Sequence, residues 1–136
     1  SPGDAQAARN SFAELGRCAG DALAMAATIV DGIIVVGGGI FRASRLIVPS
    51  LLSEMTRQLG MMSGERFSRM QTVVSNLNDE AAFHRFIKNT SVPLQVYGSQ
   101  RNVMYEAVKQ TGLITSLLGT SKAISIGAYI YALNHI

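Results

Sequence analysis

The chain has 136 residues with 12 basic and 9 acidic side chains, a formal net charge of +3, and is 48% hydrophobic but only 15% charged. That balance is too apolar for a disordered segment, and the length suffices for one domain with its own core. The basic residues are scattered, with no dense Lys/Arg block or interleaved aromatics, which argues against nucleic-acid binding.

Asp4 is expected to cap a first helix over residues 5–30. Phe12, Leu15, Ala19, Ala22, Ala26 and Ile29 recur at spacings of three and four and form its inner stripe. The small residues on and beside that stripe, Gly16 and Gly20 among them, let the helix lie close to a sheet or another helix. Cys18 sits in their midst and is expected to be a buried thiol; as the single cysteine it cannot form an internal disulfide, which suits a reducing cytoplasm. Asp21 and Asp31 interrupt the hydrophobic stretch over 19–40, so neither half approaches the ~20 residues of a membrane span. The polar start of the chain does not resemble a secretory signal.

Gly32-Ile33-Ile34-Val35-Val36 reads as a short strand buried on both faces, because its β-branched run shows no alternation. Gly37, Gly38 and Gly39 follow directly, permitting a sharp turn and leaving no side chain between the backbone and a ligand. Helix, strand, glycine turn and helix in that order suit a nucleotide-binding edge of an α/β sheet. So early in the chain, the order suggests the second half of a larger fold.

Residues 40–62 read as helical, with Pro49 opening a second helix or kinking a continuous one. Leu51, Leu52, Met55 and Leu59 are its buried face. After the break at Ser63-Gly64, residues 65–74 are expected to form another short helix. Asn78 then caps a helix with Asp79 and Glu80 as acidic first-turn residues; it carries Phe83, Phe86 and Ile87 inward and stops at Lys88-Asn89. Residues 92–97 are the second strand, with Pro93 near its start, and 103–110 a further helix. Thr120 or Ser121 caps a last helix to about Leu133, with Ile126, Ile130 and Leu133 on one face. Gly127 costs that helix ~1 kcal/mol relative to alanine and is taken to mark close packing. The sum is a helix-rich α/β domain with a short partial sheet.

Little here reads as catalysis. A dinucleotide fingerprint fails, since the sixth position from Gly37 is Arg42 and the third from Gly38 is Ile40. Gly119-Thr120-Ser121-Lys122 has phosphate-loop residue types in the wrong order and reads as a helix cap. His84, His135 and one cysteine cannot build a zinc site. Glu80 and His84 are expected to be a solvated pair, and Arg66, Arg69, Arg85 and Lys88 a charged surface. No catalytic or metal-ligating residue is assigned.

Gly32-Ile33-Ile34-Val35-Val36-Gly37-Gly38-Gly39-Ile40 after an Ala/Gly-rich helix resembles the adenosine-binding segment of the actin/hexokinase/sugar-kinase superfamily. Leu117-Leu118-Gly119-Thr120-Ser121-Lys122-Ala123-Ile124-Ser125-Ile126-Gly127-Ala128-Tyr129 is similar to the end of bacterial glucokinases, where a Gly-Leu-Leu-Gly-type turn leads into a closing helix of small residues. The strand over 92–97 would be the last before it, although the link over 99–116 is longer than the family's. The resemblance implies part of a ribonuclease-H-like, actin-like ATPase lobe, with residues 1–136 as one C-terminal domain. It implies that Gly37, Gly38 and Gly39 let the backbone approach the adenosine of ATP, with Ile40 starting the next helix.

The family's Asp-x-Gly-x-Thr/Asn phosphate loop, its sugar-binding Asn-Asp motif with the catalytic aspartate and its second phosphate loop are absent. The hexose, Mg2+ and the phosphates would then be met by an N-terminal part outside this sequence, and the chain alone would be inactive. A sheet cut short leaves open edges and apolar faces, so a homo-oligomer is expected. The rival reading is a non-catalytic α/β module that self-associates and whose glycines serve packing alone.

Overall fold

The computed structural model describes residues 2–88 and 90–135; Asn89, the expected helix stop, lies outside them. In chain order the elements are α1 (Pro2–Ile29), β1 (Ile34–Val36), a 3-10 turn (Gly39–Ala43), α2 (Ser44–Met55), β2 (Gln58–Gly60), β3 (Arg66–Ser68), β4 (Val73–Asn76), α3 (Glu80–Ile87), β5 (Val92–Gln95), β6 (Asn102–Tyr105), β7 (Gln110–Thr115) and α4 (Thr120–Leu133).

The first helix begins earlier than its expected cap. Proline suits the first helical position because the N–H it lacks would be an orphan there. Asp4 therefore lies inside the first turn, where its charge favours the helix dipole. The buried face of α1 is Gly16, Gly20, Ala24 and Ala27, rotated from the expected stripe, and Ala22, Ala26 and Ile29 are exposed. The two glycines decide this. A Cβ on Gly16 would strike the Ile47 carbonyl, and one on Gly20 the Leu51 carbonyl, so backbone lies almost on backbone where α1 meets α2. Cys18 is turned away from that contact and is exposed, contrary to expectation.

The central sheet has the order β1-β7-β4 and is parallel throughout, with Ile34 opposite Leu113 and Asn76 opposite the same residue on the other side. Its middle strand is thus β7, where Thr111, Gly112 and Leu113 are all buried. The first strand is an edge among the described residues: Val36 is buried but Val35 is 62% exposed, so burial on both faces does not hold. Ala24, Val36, Val48, Leu51, Met55, Met70 and Leu113 form the core between the sheet and the α1/α2 pair. Leu51, Met55 and Leu113 are fully buried, each stabilising the fold by roughly 1.5–3 kcal/mol.

Several expected helices are strands instead. The helical reading of 40–62 ends at Met55, with Pro49 inside α2, and continues as a 3-10 turn before it and β2 after it. Residues 65–74 hold β3 and the start of β4, and 103–110 hold most of β6 and the start of β7. The expected strand at Val92 forms, but it pairs antiparallel with β6 and not within the central sheet. Each of these short strands draws its hydrogen bonds from a partner that local periodicity does not reveal.

The third helix starts one residue later than expected: its cap is Asp79 instead of Asn78, and the Asp79 carboxylate accepts from the Ala82 N–H at 2.7 Å. Phe83 and Ile87 remain exposed and Phe86 is half-buried, so its aromatic face is less inward than expected. In α4 no residue is buried, and a Cβ on Gly127 would meet nothing within 4 Å. The close packing expected at Gly127 is therefore not found among the described residues. No helix among them is long and apolar enough to cross a membrane.

Arg69 also departs from expectation. Far from a charged surface, it reaches between α1 and α2, bonding the Glu54 carboxylate at 2.7 Å and the Asp21 carboxylate. Glu54 is 7% exposed and takes a second ion pair from Arg57 at 3.3 Å. The hydrogen bond and charge of Arg69 hold the Asp21 carboxyl below the usual carboxylate range.

Candidate functional site

Parallel neighbours β1 and β7 end side by side, and the chain leaves each end through a turn. After β1 the turn is Gly37-Gly38-Gly39. After β7 it runs from Ser116 to the start of α4. The Ser116 N–H donates to the Val36 carbonyl at 2.7 Å, which fastens the two turns together. Asn78 supports the second turn, its side-chain oxygen accepting from the Thr115 N–H at 3.0 Å.

Glycine is needed at two of these positions for different reasons. A Cβ on Gly37 would press on Ser116 Cβ at 3.1 Å. Gly38 has φ 107° and ψ 170°, backbone that side-chain-bearing residues rarely adopt. Its carbonyl accepts from the Phe41 N–H at 3.1 Å and so closes the 3-10 turn.

Between the two turns lies a cleft of about 620 Å³, bounded by Gly37, Gly38, Gly39, Phe41, Arg42 and residues 115–122. That is the size of a small-molecule site, and it stands outside the carboxyl ends of parallel strands, where α/β sheets bind ligands. The first turn of α4 opens onto it with backbone N–H groups that have no partner inside the helix. Arg42 and Lys122 add positive charge, and among the described residues no carboxylate lines the cleft. Such a site suits a ligand with a flat apolar part and negative charge; its described side chains include no carboxylate or imidazole to act as a base. A groove of about 580 Å³ between α1 and α2 is comparable in size. There, however, Arg17 and Glu14 already satisfy each other at 2.6 Å, which holds the Glu14 carboxyl below its usual range.

Of the residues expected at the site, Gly37, Gly38 and Gly39 come together on the cleft. Ile40 does not line it. It is 58% exposed within the 3-10 turn, which intervenes before α2, so Ile40 does not start that helix either. The residues that sequence reasoning passed over are 115–122, read there as an ordinary cap. The signal that points to them is a strand, β7, ending at Thr115 shortly before Gly119-Thr120-Ser121-Lys122; the expected helix over 103–110 and the absence of any expected strand after residue 97 hide it. Glu80 and His84 are exposed and 3.8 Å apart, away from the cleft. Among the described residues no group of three or more His, Cys, Asp or Glu side chains is placed to hold a metal ion.

No protein-family model matches the chain, nor does any curated protein. A crystal structure of a glucokinase from Parabacteroides distasonis ATCC 8503 does, at 42% sequence identity and a TM-score of 0.78. The match covers 100% of this chain and 36% of the glucokinase, so the chain spans about a third of that protein. In sequence and in fold alike, what the chain resembles is a portion of a glucokinase.

Proposed function

We propose that this chain is the adenosine-side, C-terminal portion of an ATP-dependent glucokinase-like sugar kinase, and that the cleft between the two turns takes the adenosine of an adenine nucleotide. The observation that carries the reading is the convergence of Gly37, Gly38 and Gly39 with the start of α4 on one cleft, in a chain 42% identical to a glucokinase. The residues present fit a nucleoside: bare glycine backbone on one wall, Phe41 and Leu118 nearby, and no carboxylate to repel the phosphates. Hydroxyls of Thr115, Ser116, Thr120 and Ser121 line the cleft, but no carboxylate, the usual protein anchor of Mg2+, stands among the described lining residues.

Magnesium, the triphosphate end and the hexose are therefore assigned to the remainder of a longer protein, in which phosphoryl transfer to a sugar hydroxyl would depend on positioning and electrostatics. In this reading the chain is one domain of an actin-like ATPase lobe and works in the cytoplasm. Titration calorimetry of the folded chain with ATP tests it. Binding that is weak but measurable, and competed by adenosine, is expected. No heat of binding with either compound would remove the nucleotide role.

A further inference from the structure

The second wall of the cleft begins where β7 ends, and its course is set from both sides of that strand. Successive residues of a strand in a parallel sheet turn their backbone groups to alternate neighbours. The Ser116 N–H goes to the Val36 carbonyl on the β1 side, so the Thr115 N–H faces β4. The β4 ladder is running out there. Its last rung is the Leu77 N–H on the Leu113 carbonyl at 2.8 Å. A continued ladder would bring the Leu77 carbonyl to Thr115, but the chain is already turning into α3, with the Asp79 N–H on the Asn76 carbonyl at 3.1 Å. The Asn78 side-chain oxygen takes the Thr115 N–H instead, at 3.0 Å.

Asn78 does this because its amide is held one way round. The anchor is a backbone donor, whose role is unambiguous: the Asn78 N–H donates to Asn76 Oδ1 at 3.2 Å. That turns the Asn76 oxygen toward Asn78, and the same oxygen accepts from Asn78 Nδ2 at 2.9 Å. With Nδ2 engaged, Asn78 Oδ1 is left for Thr115. A flipped Asn78 amide would set donor against donor at Thr115 and acceptor against acceptor at Asn76.

We infer that Asn78 is a positioning residue of the cleft, holding through Thr115 the wall that runs from β7 into α4. Given the nucleotide role proposed above, Asn78 also sets how tightly adenosine is held. It is not among the residues that bound the cleft, so it acts through Thr115 and not by touching the ligand. Asn78 is exposed, and the cap of α3 is Asp79. Replacing Asn78 therefore removes the strut without opening the core or uncapping the helix. Thr115 and Ser116 are the two points at which the wall is tied, one to each side of β7. With the Thr115 tie gone, the wall hinges on Ser116 alone.

Asn78→Ala and Asn78→Asp, made in the full chain, test this. Alanine removes the acceptor, whereas aspartate keeps an oxygen for Thr115 and gives up the donor to Asn76. One readout is amide hydrogen exchange by NMR without ligand, and the other is titration with adenosine by calorimetry. Adenosine carries no charge, so the new carboxylate does not repel it. In Asn78→Ala the Thr115 amide should exchange at least about tenfold faster, with the Leu113 amide and the thermal midpoint nearly unchanged. Adenosine should bind that variant about three- to tenfold more weakly. Asn78→Asp should recover most of both losses. Parent-like exchange at Thr115 in Asn78→Ala overturns the inference. So does adenosine binding that alanine leaves unchanged, or that alanine and aspartate weaken equally. If the parent itself binds no adenosine, the nucleotide role falls, and exchange at Thr115 alone decides whether Asn78 holds the wall.

Discussion

Ser116 and Val36 are joined by one backbone hydrogen bond of 2.7 Å, and through it the turn after β1 and the turn before α4 face each other across a cleft. Neither turn makes a site alone. The first supplies bare backbone and the second supplies the open start of a helix, and the parallel pairing of β1 with β7 sets them side by side.

Gly38→Val should weaken ATP binding roughly five- to a hundredfold. A Cβ at Gly38 would meet no atom within 4 Å, so crowding within the chain is not the cause. The cause is φ 107°, which a β-branched residue holds only at a cost of about 1–3 kcal/mol, so the turn shifts away from its present course. Calorimetry on the folded variant checks this. In the intact kinase, sugar affinity should stay nearly unchanged.

The glycines of the helix contact and of the last helix should respond with opposite sign. Gly16→Ala and Gly20→Ala drive a methyl group into α2 backbone and should each cost about 1–3 kcal/mol. Gly127→Ala fills open space on a helix and should stabilise by up to ~1 kcal/mol. Thermal unfolding followed by circular dichroism separates them. A loss of stability at Gly127 would mean that a surface outside this chain, or a second copy, packs there.

The sequence discloses those parts of the fold whose physics is local. The long α1, the glycine turn and the presence of α3 and α4 rest on residues within a turn of each other and can be read from the chain. The caps are misplaced, however: α3 is capped by Asp79 instead of Asn78, and α4 by Gly119, with no side-chain cap bond from Thr120 or Ser121. The middle strand cannot be read this way. Gln110-Thr111-Gly112-Leu113-Ile114-Thr115 shows no alternation because it is covered on both faces, and its partners, β1 and β4, are far away in sequence. With β7 unseen, residues 115–122 look like a plain cap, and half of the cleft is hidden. Arg69 is obscured for the same reason: nothing beside it in sequence is a carboxylate that could claim it, while Asp21 and Glu54 lie on helices that only the fold brings to it.

Arg69→Met should destabilise the chain by about 3 kcal/mol, because it leaves Glu54 buried with only the more exposed Arg57 as partner. The pH dependence should change too. The Asp21 pKa is lowered in the folded state by the Arg69 hydrogen bond, so the stability it contributes is full above the unfolded aspartate pKa and is lost as pH falls through the depressed one. Urea titrations from neutral pH into the acid range should show the parent losing stability more steeply than Arg69→Met. Parallel curves would mean that Arg69 does not set the Asp21 titration.

The chain alone should turn over no ATP with glucose or any other hexose. Phosphoryl transfer to a hydroxyl needs a carboxylate against the acceptor and groups that hold magnesium and the terminal phosphates. Among the described residues no carboxylate lines the cleft, and Asp21 and Glu54 are committed to Arg69 while the exposed Asp31 pairs with Lys109 at 3.6 Å. Arg42 and Lys122 can attract a phosphate but cannot take a proton from a sugar hydroxyl at neutral pH. A coupled assay should therefore read background for the isolated chain even where calorimetry detects ATP. Adding the segment of the Parabacteroides distasonis glucokinase outside the matched 36% should restore some turnover if the two parts assemble. Sugar-dependent turnover by the chain alone, abolished by Gly38→Val, would place the catalytic groups within these 136 residues and overturn the division of labour proposed for them.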